Sequence, residues 1–267
     1  MTTRPAVGWQ SLRVRRDGAM ATERVIPDEV AVAFTYGRST YAVMMATPAS
    51  LEDFALGFSL NEGVIDSPAQ LTALDVVRQR LGIELRMELA EACDVALFER
   101  RRAMTGPAGC GLCGIESLAA AMRPLRRIES PVRVPAGQIF AAMEALHVNQ
   151  PLNAKTRALH AAAFWSVSQG QLVAVREDVG RHNALDKLCG AVVRCGVPAQ
   201  MGIVVMTSRI SIELVQKTTM LGAGILAAVS VPTAQAVREA ENANLTLVAV
   251  ARDDSFEVFT HHERILC

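Results

Sequence analysis

Between residues 202 and 251 short apolar runs alternate with helix-like stretches, and this rhythm constrains the fold more than any other feature of the chain. Gly202-Ile203-Val204-Val205-Met206, residues 225–231 and residues 244–251 are apolar at nearly every position. A strand with one solvated face would alternate in polarity. Continuous apolarity instead asks for cover on both faces, which helices between parallel strands supply. Residues 211–221 and 233–241 read as those helices. Upstream, residues 135–147 carry Ile139, Met143 and Leu146 at helical spacing, residues 158–166 are apolar, and residues 171–175 read as a short strand. Residues 183–195 read as a helix with Asn183 as its cap and Leu185, Leu188 and Val192 as its apolar stripe, ended by Gly196 and Pro198. Residues 117–267 are expected to form a layered α/β domain.

The first hundred residues follow another pattern. Residues 1–20 hold Arg13, Arg15 and Arg16 without a period and are expected to be a loose basic arm. Residues 29–35 and 40–46 flank Tyr36-Gly37-Arg38-Ser39, a hairpin signal. Pro48 and the acids Glu52 and Asp53 suit a helix start; Leu51, Phe54, Ala55 and Phe58 share one face, and Asn61-Glu62-Gly63 ends it. Residues 74–77 and 82–89 suggest strands, and residues 91–102 a short charged helix. Residues 1–103 should therefore be a small α+β domain, joined to the rest by a loop at 104–116.

Charge and cysteine content narrow the class of function. With 27 basic and 27 acidic residues there is no electrostatic footprint for nucleic acid or an anionic membrane, and 4% aromatics gives little for stacking bases. No apolar run approaches bilayer-spanning length, and Met1-Thr2-Thr3-Arg4-Pro5 lacks the apolar core of a secretory signal. Six cysteines in 267 residues are too sparse for a disulfide scaffold. A reducing cytoplasm with free thiols is expected.

Three clusters carry chemistry. Cys110-Gly111-Leu112-Cys113 follows Gly106-Pro107-Ala108-Gly109 and precedes a helix-like run from Ile115, so the thiols have no obvious packing role. A free thiol of pKa about 8.5 is only ~3% ionised at pH 7, and a two-unit drop beside a helix N-terminus would make it roughly 75% thiolate. A reactive pair, in redox exchange or sulfur transfer, is the leading reading. A zinc site is the rival, although Cys189 and Cys195 are poorly spaced as a second ligand pair. The second cluster is Arg176-Glu177-Asp178-Val179-Gly180-Arg181-His182-Asn183-Ala184, between a short strand and a helix start. It is either a solvated turn or a loop presenting Arg181 and His182 to an anionic ligand or to the thiol. The third comprises Thr207-Ser208-Arg209, Ser230-Val231-Pro232-Thr233 and Arg252, each after a strand. Helix capping accounts for Ser211 and Thr233; alternatively, the Ser208, Arg209, Thr233 and Arg252 loops hold a nucleotide-sized anion at the sheet edge. No Gly-x-x-x-x-Gly-Lys-Ser/Thr and no post-strand Gly-x-Gly-x-x-Gly is present.

The cysteine pair, the run from Arg176 to Asp186-Lys187, Ser211-Ile-Glu-Leu-Val-Gln-Lys217 and Leu226-Ala-Ala-Val-Ser-Val-Pro-Thr233 together resemble the FdhD/NarQ family of formate dehydrogenase accessory sulfurtransferases. The resemblance implies a sulfur carrier that takes persulfide sulfur from a cysteine desulfurase. It passes that sulfur to the molybdenum or tungsten of a bis(molybdopterin guanine dinucleotide) cofactor, which is bound as substrate, before insertion into formate dehydrogenase. A guanine nucleotide would mimic that substrate. The persulfide residue would be Cys110 with Cys113 as neighbour, and the cofactor-binding stretch Val250-Ala251-Arg252-Asp253-Asp254-Ser255. The implied fold adds a cytidine-deaminase-like three-layer domain with a mixed, largely parallel sheet to the small N-terminal unit, in a homodimer. Deaminase chemistry is not implied, since Ala108-Gly109 precede Cys110 where a zinc deaminase has Pro-Cys-x-x-Cys. A cofactor-binding chaperone that moves no sulfur is the alternative reading.

Overall fold

The computed structural model describes residues 4–91, 93, 125–252 and 254–267. Cys110, Cys113, Asp253 and nearly all of the helix expected at 91–102 lie outside the described residues. The chain begins with a hairpin where a loose arm was expected. Strands β1 (Ala6–Arg15) and β2 (Gly18–Pro27) pair antiparallel, from Ala6 opposite Pro27 to Arg15 opposite Gly18. Trp9, Leu12, Val14 and Met20 are exposed on it. Neither face is buried, so burial never wrote a period-2 pattern into these residues, and the strands could not be read from sequence.

The next unit matches expectation closely. Strands β3 (Val30–Tyr36) and β4 (Ser39–Ala46) form the hairpin, turning at Gly37, whose φ of 57° favours glycine. Helix α1 (Leu51–Asn61) follows, then β5 (Leu71–Arg78) and β6 (Ile83–Leu89), giving a sheet of order β4-β3-β6-β5. The parallel β3–β6 register sets Val32 against Ile83, Phe34 against Leu85 and Tyr36 against Met87. All six side chains are buried on one face under α1. Phe34 stacks on Phe58 at 3.9 Å between ring centroids and meets Phe54 edge-on at 4.9 Å. Burying one such phenylalanine is worth about 1.5–3 kcal/mol.

After the short β7 (Val134–Pro135) come helices α2 (Ala136–Val148) and α3 (Pro151–Thr156), then β8 (His160–Ser166), β9 (Gln171–Asp178) and α4 (Arg181–Arg194). The last stretch runs β10 (Gly202–Met206), α5 (Ile212–Leu221), β11 (Ile225–Ala228), α6 (Ala234–Asn242), β12 (Thr246–Ala249), β13 (Glu257–Val258) and β14 (Ile265–Leu266). Six of these strands make one sheet of order β13-β12-β11-β10-β8-β9, while β14 pairs parallel with β7. The sheet is mixed, as expected, with a smaller parallel share than expected. The β10–β11 and β11–β12 pairs are parallel; the β12–β13, β10–β8 and β8–β9 pairs are antiparallel. Its two faces are both covered, which makes three layers. Val204 and Met206 of β10 enter the cluster with Leu185 and Leu188 of α4 and Leu214 of α5, while Ile203 and Val205 face Ile139, Met143 and Leu146 of α2. The continuous apolarity of β10 is explained by this double cover.

Helices α1 and α4 join the two sheets at a crossing built on glycine. A Cβ on Gly57 would fall on the backbone of Asp186 and Gly190, and one on Gly190 would fall on the carbonyl of Asp53. Both positions need glycine because backbone meets backbone there. Asp53 accepts from Arg176 Nε at 2.8 Å and from Arg194 at 2.8 Å across the same seam.

Candidate functional site

The parallel strands β10, β11 and β12 end at Met206, Ala228 and Ala249, and their following loops are stitched together by backbone hydrogen bonds. Val229 N–H donates to the Met206 carbonyl (3.1 Å), Ile210 to Val231 (3.3 Å), Thr233 to Ile210 (2.9 Å), and Ala251 to Ala228 (3.1 Å). Strand β8 is antiparallel to β10, so it starts at this same edge with His160, and β9 ends there at Asp178 before the chain turns to Arg181. All the loops singled out by sequence that the structure describes therefore share one rim.

Within the run from Arg176 to Lys187, most polar side chains have architectural partners. Glu177 accepts from the N–H groups of Leu152 (3.0 Å) and Asn153 (2.7 Å) and so caps α3. Asp178 is fully buried and accepts from Lys187 Nζ (2.5 Å), Thr47 N–H (3.0 Å), Gly180 N–H (2.8 Å) and Asn183 Nδ2 (3.0 Å). Lys187 also donates to the Thr47 carbonyl at 2.8 Å; burial lowers its pKa, with Asp178 opposing. Asp186 takes Lys217 at 2.7 Å and Asn61 Nδ2 at 2.6 Å. Asn183, expected as the cap of α4, turns instead to Asp178 and to the Met45 carbonyl (2.9 Å), and Gly180 occupies the N-cap position. The helix accordingly starts two residues before the expected 183.

Among the described residues, four buried side-chain polar atoms have no hydrogen-bond partner: Arg181 Nε, His182 Nε2, Ser211 Oγ and Glu213 Oε2. All four belong to the first turns of α4 and α5 at this rim. His182 Nε2 lies 3.9 Å from Glu213 Oε2, beyond a direct hydrogen bond. Burial, helped by the Arg181 charge, pushes His182 down to about 4, so the ring is neutral at pH 7. His160 at the head of β8 is lowered for the same two reasons. Burial works to raise Glu213, but the neighbouring Ser211 hydroxyl, its own backbone N–H, His182 and Arg181 together lower it, leaving a carboxylate. Ser211 lies beside the Glu213 carboxylate, yet Ser211 Oγ and Glu213 Oε2 each stand without a hydrogen-bond partner.

The remaining residues singled out by sequence fall into two kinds. Ser208 is buried and donates to the Arg209 carbonyl (3.1 Å), while Thr233 caps α6 by accepting from Ala236 N–H (3.2 Å). These hydroxyls are engaged locally. Arg209, Arg252, Asp254 and Ser255 stand exposed on the rim, with Arg252 N–H bonded to the Ser255 carbonyl at 2.9 Å. Ala251 is buried, and Val250 has a φ of 52°, a left-handed conformation that costs a β-branched residue energy and that clusters at functional sites. Sequence reasoning missed Glu213; Ser211, expected as a cap, does occupy the N-cap position of α5, but its side chain makes no capping hydrogen bond. The signal available was Ser-x-Glu opening a helix directly after a strand and its loop.

Elsewhere, Cys189 is buried in the seam and its thiol is pushed up to about 12, chiefly by burial, which makes it inert; Cys195 is exposed. Among the described residues no helix is long and apolar enough to cross a membrane.

The sequence matches the FdhD/NarQ family over residues 27–266. It is 53% identical over 253 residues to the sulfur carrier protein FdhD of Agrobacterium fabrum, a match covering 94% of this chain and 93% of the relative. The same-named protein of Brucella abortus is 51% identical over 94% of each chain, and that of Xanthomonas campestris 44% identical over 98% of this chain and 93% of its own. In three dimensions the chain resembles a crystal structure of a candidate formate dehydrogenase accessory protein from Desulfotalea psychrophila, with a TM-score of 0.76, 22% identity and coverage of 98% and 100%. That last likeness speaks to the fold.

Proposed function

Because the chain belongs to the FdhD/NarQ family, we propose that it is a sulfur carrier serving formate dehydrogenase, with Cys110 as the carrying residue. Similarity to relatives named as sulfur carriers, one of them 53% identical, is the observation that supports this reading most. The sulfur source is a cysteine desulfurase. Cys110 thiolate attacks the outer sulfur of the desulfurase persulfide, forming a new S–S bond while the desulfurase cysteine leaves as thiolate. Onward transfer goes to the molybdenum or tungsten of a bis(guanine dinucleotide) pterin bound as substrate. There Cys113 thiolate attacks Cys110 Sγ and releases the outer sulfur as hydrosulfide, which, with one further proton from solvent, replaces an oxo ligand that departs as water. The resulting Cys110–Cys113 disulfide is reopened by a cellular dithiol reductant. The carboxyl rim of the six-stranded sheet is the docking place for the cofactor, with exposed Arg209 and Arg252 available to its phosphates.

The test is Cys110→Ala in cells that lack their own copy of the protein. Formate dehydrogenase activity is expected to vanish while the purified variant melts as the parent does. Mature enzyme in those cells would overturn the reading. Mass spectrometry after incubation with desulfurase and cysteine checks the first step: the parent gains the mass of one sulfur and Cys110→Ala does not. A chaperone that only shelters the cofactor would gain none.

A further inference from the structure

We propose that the β1–β2 ribbon of one copy of this chain lies across the outer face of strands β3 and β4 of a second copy, the two copies exchanging ribbons reciprocally. The family match begins at residue 27, so the sulfur-carrier reading gives the ribbon no role and the inference does not rest on it. The ribbon meets the body chiefly where β2 packs against α3, and Asp28 N–H closes its base on the Pro5 carbonyl at 3.1 Å. A two-stranded ribbon with both faces in water is marginally stable by itself. Its two faces differ. Cross-strand partners share a face, which sets Leu12 with Ala21 and Val14 with Ala19 on one side. The other side pairs Trp9 with Arg24 and Arg13 with Met20, a face whose guanidinium groups suit water. Leu12 and Val14 are 66% and 71% exposed, and a flat apolar ribbon with free edges invites another chain.

The four-stranded sheet carries a matching bare strip. Val32, Phe34 and Tyr36 point inward under α1, so alternation turns Ala31 and Ala33 outward, opposite Met45 and Val43. Val43 and Met45 are 51% and 52% exposed. Outward positions on such a sheet are ordinarily polar, and β5 and β6 place Asp75, Glu84, Arg86 and Glu88 there. The apolar strip is therefore two strands wide, the width of the ribbon, and exposed Leu81 extends it beside a shallow depression of about 270 Å³. The ribbon cannot cover its own sheet. Asp28 and Glu29 alone link β2 to β3. Fully extended they reach about 10 Å, the bare spacing of two packed sheets, which leaves nothing for a reversal of direction. Area favours a reciprocal exchange. A ribbon about 33 Å long and about 10 Å wide covers about 300 Å² with one face. Counting both partners, one such contact hides about 600 Å² and the reciprocal pair about 1,200 Å², where specific interfaces begin. A two-fold exchange also uses each surface once and closes the assembly.

Sedimentation velocity on a dilution series of the full chain, joined to photo-crosslinking, tests the exchange. The parent is expected to self-associate. Leu12→Asp with Val14→Asp on the ribbon, and separately Val43→Asp with Met45→Asp on the sheet, should each weaken that association at least about ten-fold. A photo-crosslinking amino acid in place of Leu12, in a mixture of isotope-labelled and unlabelled chains, is expected to join residues 31–45 of the other copy. A parent that stays monomeric to about 100 μM, association unchanged in either double variant, or crosslinks confined to one copy or to other surfaces each overturns the proposal. Should the sheet variant fail to fold, the ribbon variant and the crosslink decide. Cys110→Ala should self-associate as the parent does, so a failed sulfur-transfer experiment and a failed exchange are told apart.

Discussion

The α1–α4 seam and the carboxyl rim of the six-stranded sheet use the same residue types, yet they differ in how their polar atoms are met. In the seam, Asp178 collects four donors, Asp186 collects Lys217 and Asn61, and Asp53 collects two arginines. At the rim, only a few residues away along α4, Arg181 and His182 present buried atoms to nothing. The same short sequence run supplies both. Saturation therefore separates the two regions: the seam meets its buried polar groups, and the rim leaves some unmet at a cost in free energy.

Three experiments break or sharpen that contrast. The largest effect is expected from Lys187→Met, which leaves Asp178 charged, buried and without its cation. It should destabilise the protein by about 3–5 kcal/mol, read from chemical denaturation. A cost below about 1 kcal/mol would mean that Asp178 is held by its other donors and that the seam depends little on charge. Next is Gly190→Ala, whose Cβ has no room against the Asp53 carbonyl. A loss of about 1–3 kcal/mol is expected as α1 and α4 are pushed apart. An unchanged midpoint would show the crossing to be loose.

The smallest effect is a change in pH dependence. His182 titrates near 4 in the folded chain against 6.5 ordinarily, so the unfolded chain binds the proton first as pH falls. Stability therefore drops between about pH 6.5 and 4, and His160, shifted in the same direction, contributes to the same window. His182→Gln should flatten part of that drop while leaving stability above pH 7 little changed. A parent-like profile in the variant would show that His182 is better solvated than its surroundings suggest.

The sequence was most legible where one physical cause acts on neighbouring residues. The β3–β4 hairpin, α1 and strands β8 to β12 were visible because burial imposes a local period or a continuous apolar run on them, whereas the two-residue edge strand β13 was not read from sequence. The β1–β2 hairpin was not, since Trp9, Leu12 and Val14 face solvent and carry no such imprint. Gly57 and Gly190 were equally silent: nothing near either residue says that another helix passes against its backbone.

For the candidate site the division is sharper. Residue order alone supplied the family, the pair Cys110 and Cys113, and the placement of several polar loops after strands, since these depend on identity and spacing along the chain. Which of those polar residues remain available was decided only by folding. Asp178 is matched by Thr47, Asp186 by Asn61 and Arg176 by Asp53, partners more than a hundred positions away. A hydrogen bond is a fact of distance in space, and no local pattern records whether a distant segment will arrive to complete it.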